Sequence, residues 1–383
     1  MALIGLLHAL DPERVDVDLF IYSHQGPLME HIPNWVNLLP EVGAYSVIEK
    51  PIADTVRRGH LGVAIGRMFA KLKHKLYLKN NRIDGDDASE FSFIGKYLTP
   101  FLPAISKSVE YDLCISFLLP HNYGLHKVSA KKRIAWIHSD YSKMRVNHAI
   151  ELPVWGAYDH IASISEAASQ SFLKVFPTLS DRVVEIENIL SPEFVRTRAA
   201  EVDVTHELHG KPVLLSVGRY SYAKNYDNIP EITKFLVRDF GFEDLRWYII
   251  GYGDDTLIKA KIEEFGMGKH VILLGKKENP YPFIKACDVY VQPSRYEGKS
   301  VTVREAQILG KPVVVTEYPT AKSQVNDGYD GVIVPLTNRE CAADIASLLS
   351  DSSRLNNLME NVKGADFGNL VEVNKVYKIL END

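Results

Sequence analysis

Apolar positions in this chain follow two rhythms. Short continuous runs recur at VDVDLFIY (15–22), YDLCISF (111–117), KRIAWIH (132–138), HIASIS (160–165) and RVVEIEN (182–188). They continue at KPVLLSVG (211–218), LRWYIIG (245–251), HVILLG (270–275), DVYVQP (288–293) and KPVVVT (311–316). Runs of this length without polar alternation predict parallel strands covered on both faces. Between them, 166–176, 228–240, 255–265 and 300–309 carry helical spacing, and Gly310 terminates the last. This alternation predicts an α/β protein with parallel sheets. It lapses over SPEFVRTRAAEVDVTHELHGKP (191–212) and then restarts. The reading is therefore two doubly wound domains, 1–200 and 205–366, whose sheets face across a cleft. A C-terminal helix over 367–383 is expected to pack back on the first domain. Ligands of open α/β sheets bind beyond the carboxyl ends of the strands, so the loops after strands should hold the chemistry.

Composition narrows the class. The 383 residues carry a formal net charge of −5, which disfavours a generic nucleic-acid binder. Cys114, Cys287 and Cys341 are far apart and show no C-x-x-C spacing, against a disulfide framework or zinc site and in keeping with a reducing cytoplasm. No apolar run approaches the roughly 20 residues that span a bilayer. The first twenty residues have neither a basic leader region nor a cleavage site. The expected location is cytoplasmic.

Two loops stand out. In SVGRYSYAKNYDN, Arg219 and Lys224 follow a buried strand, and Asp227 is placed to cap the next helix. Two cations beside a helix start suit an anion such as a diphosphate. In RYEGKSVTVREAQILGKPVVV (295–315), Glu297 and Glu305 are separated by seven residues across a strand–loop–helix junction. Gly298 allows close approach of a ligand, and the amides of Ser300 and Val301 should be unpaired at the helix start. Glu305 lies about one and a half turns further on, where it can reach a neighbouring hydroxyl. Carboxylates suit sugars because they accept hydrogen bonds from adjacent hydroxyls. Taken alone, the two cations read equally as solvated surface charges, and one solvated and one salt-bridged glutamate is the usual fate of such a pair.

GRYSYAKNYDN, followed by EGKSVTVREAQILGKPVVVTEYPTAKSQVNDGYDGVIVP, resembles the retaining glycosyltransferases of family 4, which have the GT-B fold of two Rossmann-like domains. The likeness covers nearly the whole second half. It is weaker in the first half, at LLHALDPERVDVDLFIYSHQGPL, RIAWIHSDYS and IASISEAASQSF. It implies that Arg219 and Lys224 neutralise the diphosphate of a nucleotide sugar, uridine-linked rather than guanosine-linked. Glu305 would hold the ribose hydroxyls and Glu297 would face the donor sugar. The amides from Gly298 to Val301 would meet phosphate and sugar hydroxyls, and Lys299, where many members are apolar, would add a donor contact. His138, ending KRIAWIH, matches a histidine near the donor sugar. GYGDD (251–255) reads as a βα turn on the donor side. With no D-x-D-like motif in these loops, no metal cofactor is expected, the two cations serving as the phosphate clamp. The implied acceptor is a glycan or a lipid-linked sugar in surface polysaccharide synthesis. A nucleotide-sugar epimerase of the same fold, and a sugar-nucleotide-binding remnant, stay open as alternatives.

TVRRGHLGVAIGRMFAKLKHKLYLKNNR (55–82) is basic and has no acid. At about 100° per residue, Leu61, Ile65, Met68, Phe69, Leu72 and Leu76 share one face, and Arg67, Lys71, Lys75 and Lys79 form an adjoining stripe. Two readings follow: an interfacial helix on anionic lipid, making the protein peripheral to a membrane, or a core-facing helix with a solvated cationic flank. The opening ALIGLLHALDPERVDVDLF resembles the first helix of the family, with no buried strand or glycine loop before it. The expectation is that the natural chain starts further upstream, or that the first domain is rearranged.

Overall fold

The structure is a computed structural model that describes residues 2–26, 28–80, 86–106, 108–139, 141 and 144–382. The chain divides into two compact units, Met1–Ile189 with Leu370–Asp383, and Leu190–Asn369.

In the first unit the strands are Asp18–Leu19 (β1), Asn37–Leu38 (β2), Asp86–Asp87 (β3), Tyr111–Ser116 (β4), Ala130–Ile137 (β5), Met144–Arg145 (β6), His160–Ser163 (β7) and Val183–Glu185 (β8). A four-stranded parallel sheet runs β4-β5-β7-β8, while β1 pairs with β2 and β3 with β6 as separate parallel pairs. The strand expected over 15–22 thus shortens to Asp18–Leu19. Its alternating acids, Asp16 and Asp18, are exposed, so this stretch is not the two-face-buried kind that its length suggested. One face of the four-stranded sheet is covered by the apolar helix Ala2–Ala9, through Leu6, with Leu10 just after it, and by the C-terminal helix Val373–Glu381, through Val373, Val376 and Tyr377. Tyr377 ties these together, accepting a hydrogen bond on its hydroxyl from the Asp11 amide at 2.6 Å and stacking under the Arg14 guanidinium. The other face is aromatic, with Trp155, Tyr158, Phe172 and Phe176 fully buried.

In the second unit the strands are Val213–Val217 (β9), Arg246–Ile250 (β10), Val271–Gly275 (β11), Val289–Gln292 (β12), Val313–Thr316 (β13) and Gly331–Val334 (β14). They form one parallel sheet in the order β11-β10-β9-β12-β13-β14. β9, β11 and β13 are mostly valine, leucine and isoleucine, and β10 and β12 add the buried aromatics Trp247, Tyr248 and Tyr290, as a sheet buried on both faces requires. β14, GVIV, has that composition too but was hidden by its brevity and by the flanking turn residues of NDGYD. The chain leaves β9 in one direction through β10 to β11. It then returns and leaves β12 in the other direction through β13 to β14. Strand order therefore reverses between β9 and β12, which is where such a sheet presents a ligand site.

Candidate functional site

The reversal brings two loops together. β9 delivers the chain to Gly218 and β12 delivers it to Ser294, and these strands are direct neighbours, Tyr290 lying opposite Leu215. The loop after β9 makes two short 3-10 turns joined by Asn225, whose φ of 60° is left-handed. Asn225 is buried, and its Oδ1 accepts from Asn228 Nδ2 at 2.7 Å, which holds the reversal. Lys224, just before it, is turned back over the strand end. Gly218 makes room for this: a Cβ there would lie 2.7 Å from the Tyr226 hydroxyl and 3.3 Å from Lys224 Cε.

Lys224 Nζ donates to Glu297 Oε1 at 2.6 Å. The same carboxylate oxygen accepts from Ser294 Oγ at 2.6 Å and Gln292 Nε2 at 3.2 Å. Gln292 is oriented in turn, its Oε1 accepting from the Tyr290 hydroxyl at 2.8 Å and Thr302 Oγ1 at 3.3 Å. Gln292 and Ser294 are fully buried. Three donors thus converge on one oxygen and fix a half-buried carboxylate at the carboxyl end of β12, a charge-assisted arrangement. Arg219 is exposed and forms no ion pair among the described residues. The structure joins Lys224 to Glu297 but does not make Lys224 and Arg219 a matched pair of free cations.

A second link bolts the same two loops together. The Arg295 guanidinium forks onto Asp227, Nη1 to Oδ1 at 2.9 Å and Nη2 to Oδ2 at 2.8 Å, and it lies over the Tyr222 ring. Lys261 Nζ reaches the same carboxylate at 3.3 Å. Burial alone would raise the Asp227 carboxyl, but the Arg295 fork and Lys261 outweigh it and hold it below the usual carboxylate range. Asp227 was expected to cap the following helix. It does not: Ile229–Arg238 starts at Asn228 without a side-chain cap, because the Asp227 carboxylate is occupied by Arg295.

The helix Val301–Ile308 follows the glutamate loop. Ser300 does not offer a free amide, as its position suggested. Its N–H donates to Gln324 Oε1 at 2.7 Å, and Gln324 Nε2 returns a bond to the Ser300 carbonyl at 2.9 Å. This reciprocal clamp sets the helix start. Among the described residues the Val301 amide has no acceptor. Gly298 is exposed and Lys299 half-buried. Glu305 is only 3% exposed and its Oε1 accepts from the Tyr281 hydroxyl at 2.7 Å. Burial raises its carboxyl above the usual range, opposed by that hydrogen bond. The GYGDD stretch is a βα turn, with Gly253 at φ +126°, and the Tyr220 amide donates to the Tyr252 carbonyl at 2.7 Å.

His138 belongs to the first unit, immediately after β5. Its ring packs on Phe117 with centroids 4.5 Å apart, and Nε2 is buried without a hydrogen-bond partner among the described residues. Burial pushes it down to about 4, against the Phe117 backbone hydrogen bond, so the imidazole is neutral at pH 7. Sequence reasoning missed Gln292, Ser294, Arg295 and Gln324. A glutamine closing the apolar run VYVQ was a signal, since a polar side chain there needs partners. Gln324 had none, because only folding brings it to Ser300. Among the described residues no group of three or more His, Cys, Asp and Glu is placed to hold a metal ion.

Comparison with known proteins finds likeness over the second half of the chain and in the fold. Residues 198–365 match the family described as glycosyl transferases group 1. The chain is similar to an Escherichia coli UDP-Gal:alpha-D-GlcNAc-diphosphoundecaprenol alpha-1,3-galactosyltransferase, 26% identical over 171 residues, 44% of each chain. It is 28% identical over 152 residues, 39% of each chain, to a Campylobacter jejuni N,N'-diacetylbacillosaminyl-diphospho-undecaprenol alpha-1,3-N-acetylgalactosaminyltransferase. These matches span less than half the length of either relative. Among solved structures, Anabaena HepE in complex with UDP and glucose superposes over 98% of this chain and 94% of its own, with a TM-score of 0.62 at 14% identity. Over residues 198–365 the chain is thus similar to the group 1 glycosyl transferases, and its fold is GT-B.

Proposed function

We propose that this protein transfers a sugar from a nucleoside diphosphate sugar, uridine-linked, to a glycan or lipid-linked acceptor in the cytoplasm, with retention at the anomeric carbon. The observation that carries the reading is the Lys224–Glu297 pair at 2.6 Å, held by Ser294 and Gln292 where the strand order reverses. The relatives from E. coli and C. jejuni, by their names, act on diphosphoundecaprenol-linked sugars, which supports the acceptor class. The HepE complex holds UDP and glucose, which supports the donor.

The roles follow from charge and position. Arg219, exposed and unpaired, meets the diphosphate first. Lys224 then shares its charge between Glu297 and the phosphates. As the bond from the anomeric carbon to the phosphate oxygen breaks, positive charge develops on the sugar and negative charge on the leaving group. Glu297, fixed by Ser294 and Gln292, stabilises the first, and Lys224 with Arg219 the second. The departing phosphate oxygen takes the acceptor hydroxyl proton, and that hydroxyl attacks from the same face. The Val301 amide takes a phosphate oxygen, with Gly298, Lys299 and Ser300 shaping the approach. Glu305 accepts from the ribose hydroxyls, and neutral His138 donates to the sugar. No divalent ion is required by this scheme.

A panel of nucleotide sugars, assayed for nucleotide release with and without undecaprenyl-diphosphate-linked sugars, tests the proposal. Acceptor-dependent release of UDP and an axial product linkage by NMR are expected. Release without acceptor dependence, or conversion of donor to its epimer, would sink it. Loss of activity in chelator, restored by magnesium or manganese, would overturn the metal-free clamp.

A further inference from the structure

The basic segment is two helices, Ile52–Arg57 and Leu61–Asn80, broken at Gly59 with φ +83°; Asn81 and Arg82 lie outside the described residues. The second helix is inside out by the usual rule. Its buried residues are Val63, Ala64, Gly66 and Ala70, the small ones. Gly62 and Gly66 face Phe101 so closely that a Cβ on Gly66 would lie 2.8 Å from its ring. Its large residues Leu61, Ile65, Met68, Phe69, Leu72 and Leu76 are exposed by 45% to 59%. They form one apolar row on the outside of the first unit, and the core-facing reading of this helix is therefore wrong. Arg67, expected in the cationic stripe, instead turns inward. It donates to the Val47 and Lys50 carbonyls and to Thr55 Oγ1, at 3.2, 2.5 and 3.0 Å, pinning the shorter helix.

The charges bordering the row are of one sign. At about 100° per residue, Lys71 and Lys75 flank it on one side and Lys73 on the other. All three are exposed, none is in an ion pair among the described residues, and Leu61–Asn80 contains no acid. From this juxtaposition we infer that helix Leu61–Asn80 seats the first unit on an anionic lipid surface, lying in the plane of the headgroups. The row enters the acyl boundary while the lysine stems follow it and hold their ammonium groups at lipid phosphates. A protein partner fits less well, because interface cores are depleted in lysine and rims carry both signs. Crossing the bilayer is not the mode, since among the described residues no helix is long and apolar enough. The inference stands apart from the sugar-transfer reading, because it rests on this helix alone.

The test is sedimentation of the whole protein with phosphatidylcholine vesicles, with and without phosphatidylglycerol. Binding to the anionic vesicles only, released by high salt, is expected. Lys71→Glu, Lys73→Glu and Lys75→Glu together should weaken partition by about a hundredfold or more. Phe69→Ser with Leu72→Ser should remove it. All five side chains are exposed, so the thermal melt should stay unchanged. The native cysteines are buried, so a polarity-sensitive dye on Leu72→Cys reports insertion separately, by a blue shift with anionic vesicles alone. Equal partition onto both vesicle types, or no dye shift, overturns the inference. So does a dimer in sedimentation velocity that Leu72→Ser dissociates, since a second copy would then cover the row.

Discussion

Glu297 and Glu305 are the same residue type with seven residues between them, yet their surroundings differ. Glu297 is met by a lysine, a serine and a glutamine, so its charge is compensated without full burial. Glu297→Gln should lower turnover by about a hundredfold or more, the size of a lost electrostatic contact to a transition state. Nucleotide affinity by calorimetry should change far less. Equal losses in both would place Glu297 in binding alone. Glu305 is enclosed, with Tyr281 as its hydrogen-bond donor, and burial raises its carboxyl. A raised folded value means that stability is fully present below the unfolded carboxyl value and is lost as pH rises through the folded one. Glu305→Gln should therefore raise the melting temperature at neutral pH, by roughly 2–4 °C for each 1 kcal/mol recovered. The gain should fade under acid, and nucleotide binding should weaken by about 1.5–3 kcal/mol. A melt that rises while nucleotide binding is unchanged would remove Glu305 from the site.

The elements that position these groups are held by contacts between loops. The loop after β9 and the loop after β12 are joined by the Arg295–Asp227 fork, with Arg295 also donating to the Tyr222 carbonyl at 2.7 Å. Asp227 sits below its usual value, so its contribution is present above the unfolded carboxyl value and is lost as pH falls through the folded one. Asp227→Asn should cost about 2–3 kcal/mol at neutral pH in urea unfolding, with the difference closing under acid. A constant difference across pH would mean the ion pair is not the cause. Gln324→Ala should release the Ser300 amide at both ends of its clamp and cost about 1–3 kcal/mol. Its hydrogen-exchange signature would be faster exchange confined to the first turn of Val301–Ile308.

At the scale of the whole molecule, the two units have separate cores, one around β9–β14 and another around β4, β5, β7 and β8. The proposed donor contacts other than His138 all lie in Leu190–Asn369. Donor binding should therefore stabilise that unit chiefly, by about 2.7 kcal/mol at a hundredfold excess over Kd. Hydrogen exchange with UDP should show protection at 218–228 and 294–305 and little across Leu61–Asn80. Anionic vesicles should give the opposite map. Protection of the basic helix by UDP alone would mean that the two functions share residues.

The sequence by itself determined the class of fold, because continuous apolar runs and helical spacings are written locally and burial acts on them directly. KPVLLSVG, LRWYIIG and DVYVQP each became a parallel strand, two or three residues shorter than read. It also marked the candidate loops, because Arg219, Lys224, Glu297 and Glu305 follow strands at fixed spacing. Tertiary structure alone decided which of these groups touch. The β9–β12 adjacency put Lys224 on Glu297, Arg295 took Asp227 from its helix, and Gln324 took the Ser300 amide. None of these pairings is local, and each polar group settled on the partner that folding brought within reach. The basic helix shows the same limit most plainly. Its periodicity marked an apolar face, but only packing decided that the glycine and alanine face would be buried and the leucine face left outside. Two helices pack closest where small residues let their backbones approach, and Gly66 beside the Tyr97 carbonyl, 3.0 Å from where a Cβ would lie, is that approach.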